Sequence, residues 1–261
     1  EHPTVTRVVL ANLVVERLTG DAESLRPVVE TVLGRFPCRA LVVRGSKEPG
    51  RKVSAEVSAV CNLPEPGSPQ VCSERIILKA GPEALDLPPG AVLSLLEADL
   101  PMILWWTTDP TEHEALYRAL AAGSSRVMLD LPDPGASVEA LRLGLDADIG
   151  GCRRDAVWYG LTHWRELVAQ LFDCTTHRES LERIDGVKIE AHSPDPSVPP
   201  RLALWLAAWL AGQLGWERRG TPELRPDADG STFHASFQGP EGLIGLEIRT
   251  GPLPDGLPAT S

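Results

Sequence analysis

Apolar and polar positions change period several times along the chain, and each change marks an element. Residues 5–15 are rich in β-branched side chains and predict a strand. The period then lengthens. Leu25, Val28, Val29, Val32, Leu33 and Phe36 form an i, i+3, i+4, i+7 stripe, with Asp21 as a plausible cap and Pro37 as a stop. Residues 38–44 predict a second strand, 52–61 alternate as a half-exposed strand, and 71–78 predict another, with a proline-rich loop over 62–70. Two helical patterns, 90–100 and 111–122, flank a short apolar strand at 101–106. A strand at 126–131 and a helix at 137–145, capped by Ser137, complete this half. Mixed β-α-β units and consecutive strands imply an α/β fold: a mixed sheet flanked by helices.

Glycines and charges at 146–155 suggest a boundary, giving an N-terminal α/β domain over 1–150 and a smaller C-terminal α+β domain over 151–261. The second half opens with a long helical pattern, 155–172, on which Leu161, Trp164, Val168 and Leu171 share a stripe expected to face the core. Thr162, His163, Arg165, Glu166, Gln170 and Asp173 lie on the other side, a solvated face on which Arg165 and Gln170 could line an interface or cleft. A strand at 186–191, a loop with four prolines at 194–200 and a strongly apolar helix at 201–214 follow. That helix is too short to span a bilayer, which takes roughly 20 apolar residues, so it reads as a core helix with Trp205 and Trp209 stacked at i, i+4. Residues 232–238 and 243–250 read as a hairpin, and the tail from 252 is rich in Pro and Gly.

In Asp99-Leu-Pro-Met-Ile-Leu-Trp-Trp106 two tryptophans are adjacent. Successive side chains of a strand point to opposite faces, so Trp105 and Trp106 cannot share a core layer, and one is expected to meet a second layer, a domain junction or a partner.

The net charge of −11 opposes attraction to nucleic acid or an anionic membrane. The five cysteines are odd in number and form no C-x-x-C, so neither a zinc site nor a disulfide framework is expected. All five are read as free thiols of a cytoplasmic protein. No signal-peptide pattern is visible, and a start at Glu1 rather than Met suggests that the chain begins inside a longer protein. His113-Glu114 opens like a zinc-protease motif, but Tyr117 stands where its second histidine belongs. Phosphate-binding loops, dinucleotide fingerprints and nucleophile elbows do not occur, and no catalytic pair is recognisable.

Together these blocks resemble the OpcA family, the glucose-6-phosphate dehydrogenase assembly proteins. The likeness rests on Pro37-Cys38-Arg39, on Leu100-Pro101 leading to Trp105-Trp106, on Asp155-Ala-Val-Trp158 leading to Leu161-Thr-His-Trp-Arg165, and on the Trp205 to Trp216 block. It spans about residues 5–248. Gly160 departs from the pattern, where a larger residue is expected. The last cysteine is Cys174, so the thioredoxin control associated with C-terminal cysteines of some cyanobacterial members does not carry over.

The resemblance implies a non-catalytic protein that binds glucose-6-phosphate dehydrogenase, promotes its active oligomer and needs no cofactor. Trp105, Trp106, Arg165 and Gln170 are the expected partner surface. The alternative is a sugar-phosphate or other small-molecule sensor, or an unrecognised enzyme, with a site in an interdomain cleft.

Overall fold

The computed structural model describes residues 5–7, 9–62, 70–132 and 136–254. The expected loop at 62–70 lies mostly outside them, as does the tail beyond 254. The chain divides into two compact units. The first takes residues to 131 and 136–155, and the second takes Pro132 and residues from 156 onward.

The first unit contains strands β1 (Val5–Arg7) and β2 (Asn12–Arg17), helix α1 (Arg26–Arg35), and strands β3 (Arg39–Gly45), β4 (Val53–Asn62) and β5 (Gln70–Ala80). It continues through α2 (Pro89–Leu93), β6 (Met102–Trp106), α3 (Glu114–Gly123), β7 (Arg126–Leu129), α4 (Val138–Gly144) and β8 (Cys152–Asp155). These eight strands form one mixed sheet. The parallel strands run β5-β3-β2-β6-β7-β8, β1 joins one end of β5, and β4 lies antiparallel outside β5. Along that row the order climbs outward in both directions from β2 and β6. This is the order of doubly wound dinucleotide-binding sheets.

Both faces are covered, as a parallel sheet requires. Leu13, Val15, Ala40 and Val42 pack under Leu25, Val29 and Leu33 of the α1 region. The larger core lies on the opposite face, where Val14, Leu41, Val43, Leu104 and Trp106 meet Val92, Leu116, Tyr117, Leu120, Ala140 and Leu143 of α2 to α4.

Some boundaries differ from those the pattern predicts, for local reasons. Residues 5–15 form two strands rather than one. The helix expected over 90–100 stops at Leu93, because buried Asn12 takes the backbone beyond it. Its side-chain amide donates to the Glu97 and Leu100 carbonyls (2.8 and 3.3 Å) and its oxygen accepts the Glu97 N–H (3.0 Å). The helix expected from 111 starts at Glu114, because the Asp109 carboxylate holds the Thr111 N–H and hydroxyl in a turn. The expectation of five free thiols is corrected. Cys61 and Cys72 are bonded, since β4 and β5 place them directly opposite with Cα atoms 4.0 Å apart, a proximity invisible in spacing along the chain. Cys38, Cys152 and Cys174 are free.

The second unit runs α5 (Ala156–Gly160), α6 (Thr162–Leu171), α7 (Thr175–Arg178), β9 (Gly186–Ser193), α8 (Arg201–Gln213), β10 (Glu217–Asp227), β11 (Gly230–Gln238) and β12 (Leu243–Pro252). Its sheet runs β10-β11-β12-β9. The first three strands are antiparallel, while β9 is parallel to β12. Helix α8 covers one face, and the residues it buries there are Ala203, Ala207 and Ala211 rather than its tryptophans. Alanines four apart let the helix approach Ala235, Leu246 and Ile248 closely, and the two large rings are displaced to the flanks. Strand β10 has no apolar alternation, and its residues are exposed apart from half-buried Pro222. Only pairing with β11 defines it, so the pattern did not predict it.

Candidate functional site

In a doubly wound sheet, ligands bind beyond the carboxyl ends of the strands where the order reverses, here between β2 and β6. Glu16 occupies that position and is fully buried. Its carboxylate accepts the backbone N–H of Leu18 (2.6 Å), Thr107 (3.3 Å) and Thr108 (3.3 Å), and the Thr108 hydroxyl at 2.9 and 3.0 Å. Burial pushes the carboxyl above its ordinary range, and these hydrogen bonds oppose the shift. Donors that could otherwise face a bound anion thus point at the chain's own side chain.

The β2–α1 turn adds no phosphate cradle. Asp21 caps the helical turn Ala22–Leu25 through the Glu23 N–H (3.0 Å), and the Glu23 carboxylate pairs with Arg44. Acidic groups at a helix start occupy the place where a phosphate would sit.

The adjacent tryptophans split between layers, as a strand's period of two predicts. Trp106 is fully buried in the larger core, with its ring edge-on to Tyr117 at 5.1 Å. The Tyr117 hydroxyl donates to the Gly144 carbonyl (2.7 Å), and burial raises its pKa. The expectation that Trp106 could serve a partner surface is therefore corrected, because it has no accessible surface to offer. Trp105 lies on the opposite face beside the smaller core, half-buried, and its indole N–H donates to Asp130 (3.1 Å).

The long helical pattern of the second half is two helices, α5 and α6, broken at buried Leu161. On α6 the expected orientation holds in part: Leu161 is buried, Val168 is half-buried, and His163, Glu166 and Gln170 are exposed, but two residues of the expected core stripe, Trp164 and Leu171, face outward. Trp164, Leu167 and Leu171 are 55%, 57% and 62% exposed, and no residue of α6 is fully buried. Arg165 turns inward instead. Its guanidinium lies 3.9 Å from the centre of the Trp158 ring and donates to the Trp158 carbonyl (3.4 Å) and the Thr162 hydroxyl (3.2 Å). Trp158 in turn packs edge-on against Trp205 of α8 at 5.9 Å. The row Arg165, Trp158 and Trp205 anchors α6 by the side on which Leu161 lies.

At 100° per residue, Trp164, Leu167 and Leu171 project from one arc of α6, and exposed Gln170 lies beside Leu167 at its rim. The structure therefore separates the four predicted surface residues. Gln170 borders an exposed apolar stripe, Trp105 keeps part of its surface, Arg165 is engaged internally and Trp106 is buried. Leu167 was not singled out from the sequence. The available signal was an excess of apolar positions over what one buried stripe needs.

The His113 side chain is only 8% exposed at the start of α3, with Nδ1 3.9 Å from an Asp86 carboxylate oxygen. Among the described residues no group of three His, Cys, Asp or Glu side chains is placed to hold a metal ion. Nor is any described helix long and apolar enough to cross a membrane.

Two family models match. They are described as the N-terminal domain of the glucose-6-phosphate dehydrogenase subunit, over residues 29–143, and its C-terminal domain, over 153–254. Among curated proteins, OpcA of Nostoc punctiforme is 29% identical over 79% of this chain and 44% of its own length. OpcA of Synechococcus elongatus is 30% identical over 69% and 40%, and that of Synechocystis is 25% identical over 72% and 39%. The names of these relatives tie them to the OxPP cycle, the oxidative pentose phosphate cycle. The chain spans less than half the length of the relatives it matches. In fold it resembles the Bacillus subtilis chain yvaA, with a TM-score of 0.50 and 12% identity over 95% of this chain and 67% of that one. Both halves match their family models in order, and the chain belongs to the OpcA family.

Proposed function

We propose that this chain is a non-catalytic binding partner of glucose-6-phosphate dehydrogenase that acts in the cytoplasm and favours the dehydrogenase's active oligomer. The observation that carries the reading is the exposed stripe of Trp164, Leu167 and Leu171 on α6. It lies inside residues 153–254, the region matched by the second of the two family models. Contiguous exposed apolar side chains mark interaction surfaces, and Trp is enriched among residues that dominate binding energy. Gln170 at the rim, and the accessible part of Trp105, are proposed to contribute polar and aromatic contacts. The self-satisfied switch point around Glu16 supports a binding role over a nucleotide-dependent one.

An activator of this kind acts by binding the active oligomer more tightly than the inactive form, and about 1–3 kcal/mol of coupling changes affinity roughly 5–150-fold. The test mixes the purified chain with the dehydrogenase of the same organism and follows NADPH formation and sedimentation. The expected result is a complex, with a raised rate or a larger oligomer, and a Trp164→Ala/Leu167→Ala variant that binds about 30-fold more weakly while staying folded. A dehydrogenase unchanged in rate and size at saturating chain would overturn the reading.

A further inference from the structure

Strand β4 is the outermost strand of the first unit's sheet, and among the described residues nothing pairs with its outer edge. Natural sheets guard such an edge with lysines, prolines, bulges or short length. β4 has none of these. It runs ten residues, Val53 to Asn62, in continuous register with β5, and Glu56 is its only charged residue.

The ladder shows which backbone groups are free. Lys52 lies opposite Gly81 and accepts its N–H (2.9 Å), so the even-numbered residues of β4 bond inward to β5. The 4.0 Å Cα separation of Cys61 and Cys72 fits a non-hydrogen-bonded pair and gives the same phase. The N–H and C=O groups of Val53, Ala55, Val57, Ala59 and Cys61 therefore point outward. Their side chains share one face and are all exposed, Val57 at 72%.

We infer that β4 pairs antiparallel with β4 of a second copy of this chain, about a two-fold axis at Val57, joining the two sheets into one. A two-fold axis perpendicular to the sheet keeps each face continuous, so only residues of like parity can meet. With the axis at Val57, Val57 meets itself, Ala55 meets Ala59 and Val53 meets Cys61. Every outward-pointing donor and acceptor is then used, over about 30 Å of strand. An axis at Ser58 leaves the backbone groups of Val53 without a partner in the strand. An axis at Glu56 sets two carboxylates opposite each other, which is unfavourable.

Charge fits the Val57 axis as well. Glu56 of one copy meets Ser58 of the other. The Ser58 hydroxyl already accepts from Arg75 Nε (3.1 Å), so the incoming carboxylate meets the Nε side of a guanidinium whose Nη1 is paired with Glu30 (3.2 Å). Within its own chain Glu56 pairs with Lys79 (2.9 Å), so both basic groups flank the seam on the same face.

The test is sedimentation of the purified chain alone, which keeps it separate from the dehydrogenase reading. The wild type is expected to be a dimer at tens of micromolar. Val57→Lys, which places two cations at the axis, is expected to be monomeric with an unchanged circular dichroism spectrum. Val57→Thr, which keeps β-propensity without charge, is expected to remain a dimer. Glu56→Arg, which turns the attraction to Arg75 into repulsion, is expected to weaken the dimer about ten-fold or more. A monomeric wild type at that concentration, or a Val57→Lys protein that is still dimeric, would overturn the proposal. A Glu56→Arg dimer tighter than wild type would overturn the Val57 axis.

Discussion

At Glu16 two opposing effects act on one carboxyl. Burial favours the neutral acid, while three backbone N–H groups and a threonine hydroxyl favour the anion, and burial prevails. The folded chain thus holds this proton above the ordinary value of 4.5. Between that value and the raised one, folding takes up protons. The stabilisation is fully present below 4.5 and is lost as pH rises through the folded value. Glu16→Gln cannot titrate. In denaturant melts across this range, the wild type is expected to lose stability relative to the variant as pH increases. A difference independent of pH would refute the assignment. The variant also turns an amide N–H toward donors, at a cost of about 1–3 kcal/mol at every pH.

At the scale of the element, α6 turns an apolar arc to solvent. Its apolar positions fill two neighbouring arcs, and a helical period is blind to which arc meets the protein. The choice falls to Arg165, whose guanidinium over Trp158 holds one side inward and leaves Trp164, Leu167 and Leu171 in water. Arg165→Ala is expected to cost about 0.5–2 kcal/mol in chemical denaturation, through lost cation–π contact and lost packing of its stem. Dehydrogenase binding should weaken only as far as stability does. Arg165→Lys should recover part of the stability, since an ammonium still sits over the ring but lacks the planar stack. Loss of binding in both variants at full stability would instead make Arg165 a direct contact.

Across the whole molecule the thiols form a graded set. Cys152 and Cys174 are exposed, Cys38 is buried with its thiol pushed up to about 11, and Cys61 and Cys72 are bonded. A thiolate is the reactive form, so both burial and this shift protect Cys38. Alkylation of the native protein followed by mass spectrometry is expected to label Cys152 and Cys174 quickly, Cys38 only after unfolding, and Cys61 and Cys72 only after reduction. Rapid labelling of Cys61 in unreduced protein would contradict the Cys61–Cys72 bond. Charge belongs to this scale too. At −11 the chain's overall charge opposes long-range capture of an anion.

Period and composition by themselves determined much of this protein. Strands β3 and β6 are legible as short apolar runs whose side chains alternate between two covered faces, α1 as a 3.6-residue stripe and α8 as a longer apolar run. The split of Trp105 and Trp106 between faces followed from the same alternation, and the family followed from the order of the Trp-bearing blocks. What period does not encode is which surface an element turns to its neighbours. Only the tertiary structure decided that Trp164 faces outward and Arg165 inward, that alanines rather than tryptophans of α8 meet the sheet, and that Cys61 stands across from Cys72. It also decided that Glu16 fills the switch point and that β4 ends the sheet with its outer edge unpaired. Apart from the local contact of Arg165 with Trp158, these depend on contacts between elements brought together only on folding, where local propensity carries no information about the partner.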